Sequence, residues 1–365
     1  MNDYEPCGKP APVCASGEFV IAATHLDHGH IYGQCEGLEQ AGALVKWVYD
    51  SDPARAEAFR AKFPTARLAR SLEEILDDAE VQLVAAAAVT SERGPLGCRV
   101  LRAGKHYFTD KAPFTTLGQL KDARRAVAET GRRYAVYYNE RLHSECSVHA
   151  GRLVKGGAIG RVLQTLGTGP HRLNAKSRPA WFFERVKYGG ILCDIGSHQI
   201  EQFLHFTGAR EARVNFAAAR NAAHPGYPEL QDFGECLLEA DSGASGYFRV
   251  DWFTPDGLST WGDGRLVILG TDGYIELRKY VDIATGHGMD QLYLVNGTGE
   301  HRVSCAGKVG FPFFGELILD CLDGTESAMT QEHTFKAAEL SLVAQTLAEA
   351  GASESRLDVA SGRCH

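Results

Sequence analysis

Between Phe19 and about Tyr138, short apolar runs alternate with amphipathic stretches, the pattern of a parallel sheet covered by helices. FVIAAT opens the series as a buried strand, a helix over about Ile31–Ala41 stops at Gly42, and ALVKWVY forms a second strand that ends at Asp50. Asp52 and Pro53 take the N-cap and N1 places of the helix PARAEAFRAKF, and Ser71 with Glu74 spells a capping box. VQLVAAAAV is a strand buried on both faces, followed by a helix from about Ser91 to Ala103 that Gly104 ends. HYFTDK, a helix over about Leu117–Glu129 and the strand RYAVYY complete the series. Six strands in βα alternation predict an α/β, doubly wound parallel sheet over residues 18–140.

Beyond residue 140 the pattern changes. A helix around Ser144–Lys155 precedes strand-like segments separated by turns: VNFAAA, GECLLEA, SGYFRVDWF, RLVILG, YIELRK and QLYLV. Several alternate with period 2, which predicts a half-exposed, mostly antiparallel sheet in an α+β domain over residues 141–350. Such a sheet has one face for helices and one free to meet another subunit. A last helix, about 331–350, carries Phe335, Ala338, Leu342 and Leu347 as its packing side and is placed to return to the first domain. Residues 1–17 and 351–365 read as tails.

Composition narrows the class of partner. A length of 365 residues suits two domains, and 44% hydrophobic with 23% charged residues is ordinary for a globular protein. The net charge of -8, with no Lys/Arg block, argues against nucleic acid and anionic lipid and leaves a small molecule. Ten cysteines, with no C-x-x-C pair, read as reduced thiols and suggest a reducing cytoplasm. No N-terminal apolar segment marks a leader, and the longest apolar run, Leu83–Val89, is far short of the roughly 20 residues of a spanning helix.

In a doubly wound sheet the first βα turn usually carries phosphate-binding glycines. Here it reads THLDHGHIYG, Thr24–Gly33, with only Gly29 and Gly33, while His25, Asp27, His28 and His30 crowd the loop. Backbone N–H groups at the helix start, from Gly29 to Ile31, can still cradle a pyrophosphate. A metal and a plain polar loop are the alternatives; no metal is expected, because no matching ligand set stands elsewhere in the chain. Asp50 ends the second strand where an acid accepts from a ribose 2'-hydroxyl and repels a 2'-phosphate, which favours NAD over NADP. Its other reading is a turn residue in DSDP.

The segment GGILCDIGSHQIEQ, Gly189–Gln202, sets Asp194 and His198 four residues apart, on one face of a helix. That is the spacing of a proton-handling pair. It equally fits Asp194 as an N-cap and His198 as a packed imidazole, with Ile195, Ile200, Phe203 and Leu204 buried and Gly208 as terminator. His171, Arg172, Trp181 and Tyr188 just before the motif, and Asn139, Glu140 and Arg141 after the last strand of the first domain, are candidate pocket residues, with packing as the other reading. DWFTPDGLSTWGDG, Asp251–Gly264, is an unusual polar-aromatic loop of open role.

These features together resemble the Gfo/Idh/MocA family of glucose-fructose oxidoreductase, inositol dehydrogenase and rhizopine catabolism proteins, over about Phe19–Ala350. The family's G-G-x-x-x-D-x-G-x-H motif is matched by Gly189, Gly190, Asp194, Gly196 and His198. Its E-K-P motif falls on Asp110, Lys111 and Ala112, with the acid shortened and the proline displaced to Pro113. The resemblance implies a Rossmann domain, a C-terminal domain with a large open sheet, and dimers or tetramers formed through that sheet. It also implies hydride transfer between NAD and a secondary alcohol of a sugar, cyclitol or related polyol. In that reading His198 is the general base, Asp194 orients the substrate hydroxyl and the histidine, and Lys111 stabilises alkoxide charge and positions the nicotinamide. The turn residues Thr24, His25, Asp27, His28, Gly29, His30 and Ile31, with Asp50 and Lys111, would hold the cofactor. A non-catalytic nucleotide- or sugar-sensing role, and transient oxidation by tightly held NAD, are the rival readings.

Overall fold

A computed structural model describes the backbone of residues 4–361 and the side chains of residues 4–351. The chain forms two compact units, one of residues 9–138 with 310–335, the other of residues 4–8, 139–309 and 336 onward. Each is built around its own sheet.

The N-terminal unit runs β1 (Val20–Thr24), α1 (His30–Gln40), β2 (Leu44–Tyr49), α2 (Pro53–Lys62), β3 (Arg67–Leu68), α3 (Leu72–Asp77), β4 (Leu83–Ala86), α4 (Thr90–Arg102), β5 (His106–Asp110), α5 (Leu117–Thr130) and β6 (Tyr134–Tyr137). The six strands are parallel in the order β3-β2-β1-β4-β5-β6, so the doubly wound expectation holds, with the switch point between β1 and β4. Local signals act as read: the Asp52 side chain accepts from the Ala54 amide with Pro53 following, and Ser71 Oγ accepts from the Glu74 amide at 3.3 Å. The reciprocal half of that capping box differs, because the Glu74 carboxylate takes the Arg70 amide at 2.7 Å.

The second unit begins with α6 (Asn139–Leu142) and α7 (Glu145–Lys155), then β7 (Val162–Pro170), α8 (Arg185–Tyr188), α9 (Ile191–Asp194) and α10 (Gly196–Thr207). It continues through β8 (Ala212–Arg220), β9 (Phe233–Ala240), β10 (Ser245–Asp251), β11 (Arg265–Gly270), β12 (Gly273–Arg278), β13 (Gln291–Asn296) and β14 (Gly299–Ser304). After these come α11 (Pro312–Asp323), which belongs to the N-terminal unit, and α12 (Gln331–Ser361). The eight strands lie in the order β14-β13-β12-β11-β7-β10-β9-β8, all antiparallel except β7 with β10.

The central strand β7, VLQTLGTGP, has no sequence signature of a strand. Its glycines make room for the Gln199 amide: a Cβ on Gly167 would stand 2.2 Å from Gln199 Oε1, and one on Gly169 3.0 Å from Gln199 Nε2. The helix α10 therefore lies close against the sheet, and ten of its twelve residues are buried. On the other face Leu166, Phe216, Tyr247, Leu269 and Tyr274 are exposed. Residues 4–17, expected as a loose tail, make defined contacts. The Tyr4 carbonyl accepts from His149 Nε2 at 2.7 Å, and the Val13 amide donates to Ala41 O at 2.9 Å. In α12, Leu347 is exposed, contrary to its expected packing role, while Phe335, Ala338 and Leu342 are buried. The helix continues past residue 350, and residues 362–365 of the expected tail lie outside the described residues.

Candidate active site

The candidate residues fall into one group in each unit. In the N-terminal unit the first turn leaves β1 through Thr24, whose hydroxyl lies 2.9 Å from His25 Nδ1, and through His25 itself at a left-handed φ of 51°. Asp50 fastens this turn to β2: Oδ2 accepts the Leu26 amide at 2.6 Å and Oδ1 the Asp52 amide at 2.8 Å, so the local turn reading of Asp50 is realised. Asp27 pairs with Arg55 at 2.5 Å, and Arg55 also reaches Asp50 at 3.2 Å. Ile31 is fully buried and anchors α1.

The start of α1 has no side-chain cap, and a Cβ on Gly29 would meet nothing within 4 Å. The His30 amide donates to His28 Nδ1 at 3.3 Å, and the Ile31 and Tyr32 amides to the His28 and Gly29 carbonyls at 3.3 and 3.2 Å, so the turn closes on itself beside this open space, at a helix N-terminus that favours an anion. Gly33 serves close packing instead, since a Cβ there would lie 2.8 Å from the Tyr137 hydroxyl. The histidines gather on the end of β5. His30 Nδ1 is 2.8 Å and His28 Nδ1 3.3 Å from the buried Asp110 carboxylate, which Arg93 reaches at 3.2 Å. Burial alone would raise the Asp110 carboxyl, but His30, Arg93 and His28 outweigh it and hold it well below the usual carboxylate range. Desolvation, then His30, keeps His28 well below the ordinary imidazole range.

Asp110 thus supplies the partner that made no sequence signal, and His28, His30 and Asp110 present ligand atoms all within 4.8 Å of one another. The guanidinium of Arg93 on the same carboxylate, and the positive field of Lys111 at His28, oppose a further cation here, and the three side chains are joined by hydrogen bonds. Arg93 also donates to the carbonyls of Lys111 and Ala112, fixing the backbone that carries Lys111. The Lys111–Ala112 peptide is cis. Arg93 is 2% exposed, and nothing in its sequence context announces it.

In the second unit Gly189 and Gly190, at φ of 89° and 90°, turn the chain into α9. A Cβ on Gly190 would stand 2.3 Å from the Gln345 amide, so this entry is open to glycine alone. Asp194 is not an N-cap: it is the last residue of α9, and Ser197 Oγ donates to its carbonyl at 3.1 Å. Ile195 keeps right-handed helical angles (φ −86°, ψ −39°), so the four-residue spacing of Asp194 and His198 survives into α10. Gly208 ends α10 at a φ of 67°, as expected.

His198 begins a buried polar run with Gln199, Glu201 and Gln202. Its focus is Glu140, 1% exposed, whose Oε2 accepts from Gln199 Nε2 at 2.8 Å and from Lys279 Nζ at 3.3 Å, while Oε1 lies 3.1 Å from His171 Nε2. Burial opposes ionisation of Glu140, but Lys279, His198 and His171 overcome it and hold the carboxyl far below its ordinary value. Lys279 Nζ also donates to Gln202 Oε1 at 2.5 Å, and Gln202 Nε2 to the His198 carbonyl at 2.9 Å. Lys279, fully buried, came without a sequence signal; the run SHQIEQ in an apolar helix was the available clue to the rest.

The other candidates divide. Arg141 forms a buried pair with Glu201, Nε to Oε1 at 2.7 Å, and the Tyr188 hydroxyl bonds Glu229 O and the Gln231 amide at 3.0 and 2.9 Å. These two hold the frame. Asn139 opens α6 beside Glu140, and Trp181 lies in a 3-10 turn against Phe182. Arg172 ties down the 251–264 loop through Pro255 O and Leu258 O. Arg178, which was not singled out, lies over the rings of Phe182 and Trp252; burial lowers its proton affinity and Asp194 raises it.

The N-terminal unit is a parallel, dinucleotide-type sheet, and the second unit packs a helix with an acid–imidazole pair against its own sheet. Residues 25–138 match an oxidoreductase family with an NAD-binding Rossmann fold, and residues 148–276 match the Gfo/Idh/MocA C-terminal domain. The chain belongs to the Gfo/Idh/MocA family. It is 52% identical to a solved protein of Erwinia carotovora atroseptica SCRI1043, provisionally assigned as an oxidoreductase, over 91% of this chain and 99% of that one, with a TM-score of 0.88. It is 28% identical to the scyllo-inositol 2-dehydrogenase (NADP(+)) of Bacillus subtilis, over 47% of each chain. It is also 26% identical to the D-xylose dehydrogenase of Paenarthrobacter nicotinovorans, over 56% of this chain and 52% of that one. The chain thus spans about half the length of these curated relatives. No helix among the described residues is long and apolar enough to cross a membrane.

Proposed function

We propose that the chain is an NAD(P)-dependent dehydrogenase that interconverts a secondary alcohol and a ketone on a sugar, cyclitol or related polyol. The observation that carries this reading is the glycine-entered helix holding Asp194 and His198 in helical register beside the ionised, buried Glu140. Bound nicotinamide would supply the hydride acceptor. The N-terminus of α1, with open space at Gly29, suits its pyrophosphate.

His198 takes the hydroxyl proton as the carbon-bound hydrogen leaves as hydride, which gives the ketone. The negative charge of Glu140 favours the imidazolium that forms. Asp194 holds the substrate hydroxyl and orients the imidazole, and Lys111, its backbone fixed by Arg93, opposes alkoxide charge. Asp50 speaks for NAD only by its place at the end of β2, since the Leu26 and Asp52 amides and Arg55 engage its carboxylate, and one relative is named for NADP(+); both cofactors therefore belong in the test. The free thiols of the described cysteines suit a reducing cytoplasm, and the apolar outer face of the β7–β12 sheet suits a homodimer or homotetramer.

The test is calorimetric titration with NADH and NADPH, followed by a screen of scyllo-inositol, D-xylose and other sugars and polyols with each oxidised cofactor. Saturable NADH binding with turnover of a polyol supports the reading. Absence of binding to either cofactor overturns it.

A further inference from the structure

The loop Asp251–Gly264 carries two exposed rings, Phe253 and Trp261, on a pinned backbone. Arg172 bridges Phe253, its guanidinium donates to Pro255 O at 2.9 Å and Leu258 O at 2.6 Å, and its amide donates to Trp261 O at 2.7 Å. Gly262 lies so close to the preceding chain that a Cβ would stand 2.3 Å from Pro170 O. The backbone on both sides of Trp261 is therefore fixed, yet its side chain is 40% exposed.

Single exposed aromatics are common and prove nothing alone. Three further observations bear on this one. The Trp261 ring packs edge-on against His171 at 4.5 Å between centroids, and His171 Nε2 is 3.1 Å from Glu140, the carboxylate whose charge acts on His198. The same imidazole packs edge-on against Trp252 at 5.4 Å. Trp252 is 4% exposed, and its Nε1 has no hydrogen-bond acceptor among the described residues. Buried indole N–H groups normally have one.

We propose that Trp261 and Trp252 form a carbohydrate subsite: Trp261 stacks on the apolar C–H face of a six-membered polyol or pyranose ring, and Trp252 Nε1 donates to a ring hydroxyl. The chemistry matches the occupant. A ring of equatorial hydroxyls presents flat C–H faces to an aromatic plane and acceptor oxygens at its rim, and a rigid aromatic support loses little entropy on binding. The subsite would hold a neutral ring substrate beside His171, on the side from which the buried Glu140 network is reached. It rests on the dehydrogenase reading and names that reading's substrate class.

The experiment measures kcat and KM of the full-length wild type and of Trp261→Ala, Trp261→Phe and Trp252→Phe, with the best cyclic polyol of the screen. Tryptophan fluorescence on titration with scyllo-inositol and sedimentation velocity accompany it. Trp261→Ala is expected to raise KM roughly ten-fold with kcat within about three-fold, and Trp261→Phe to restore KM to within about three-fold of wild type. Trp252→Phe, which removes the N–H together with part of the buried ring, raises KM by about two- to ten-fold, with thermal unfolding run beside it to read the packing loss. Scyllo-inositol quenches the wild type and quenches Trp261→Phe less. A KM for Trp261→Ala within about two-fold of wild type, or a changed sedimentation coefficient with unchanged KM, overturns the subsite while the dehydrogenase reading stands on wild-type turnover. A wild type that binds no nicotinamide cofactor and oxidises no polyol overturns both.

Discussion

Glu140→Gln removes one negative charge from the centre of the buried network and keeps its shape. Lys279, fully buried, then keeps only Gln202 among the partners described above, and a buried cation stands without its counter-charge. Breaking such a pair costs about 3–5 kcal/mol, which lowers Tm by roughly 5 °C in a protein of this size. The carboxyl is depressed in the folded state, so its contribution is complete above the ordinary carboxylate value of about 4.3 and fades as pH falls from there toward the folded value. The stability gap between wild type and variant is therefore constant from about pH 6 to 8 and narrows below about pH 4.3. Glu140 also favours the charged form of His198, so the acid limb of kcat/KM moves to lower pH in the variant. Urea unfolding across pH, with pH-rate profiles, reads both effects. The double variant Glu140→Gln/Lys279→Met removes both charges and recovers much of the lost stability. A single variant within about 0.5 kcal/mol of wild type, or an unmoved acid limb, refutes the reasoning.

Asp110→Asn leaves Arg93 buried without its anion and frees His28 and His30, so calorimetry should show NADH binding weakened about ten-fold, with a melt showing stability lower by about 3 kcal/mol. Gly37→Ala drives a Cβ to 2.3 Å from the Phe314 ring and is expected to cost about 1–3 kcal/mol by thermal unfolding. Gly29→Ala meets no atom within 4 Å, so stability holds while NADH binding weakens, because the methyl occupies the proposed pyrophosphate approach. Leu166→Glu on the exposed sheet face tests the proposed assembly by sedimentation velocity: wild type is expected to sediment as an oligomer and the variant as a monomer, with the fold retained by circular dichroism.

Where local chemistry decides structure, the chain announced it. The Asp52–Pro53 helix start, the Ser71 cap and the Gly208 terminator act through neighbours a few residues away. The strand β7 was illegible because its two glycines answer to Gln199, about thirty residues on, rather than to strand propensity. β14, GEHRVS, is a polar edge strand whose pairing with β13 supplies what its sequence lacks. The Asp194/His198 spacing was legible, but the choice between cap and pair was not, since it depends on α9 ending at Asp194 and α10 resuming past Ile195. Lys279 and Glu140 meet across 139 residues, and Arg93 and Asp110 act as one lock; such partnerships are set by sheet order, which no window of sequence contains.

The most direct test compares NADH formation by wild type and His198→Ala with the best polyol of the screen, after calorimetry has shown equal NADH affinity. A base that takes the hydroxyl proton predicts a loss of about 10²–10⁴-fold in kcat with cofactor binding intact. A variant that turns over within a few-fold of wild type contradicts the central claim.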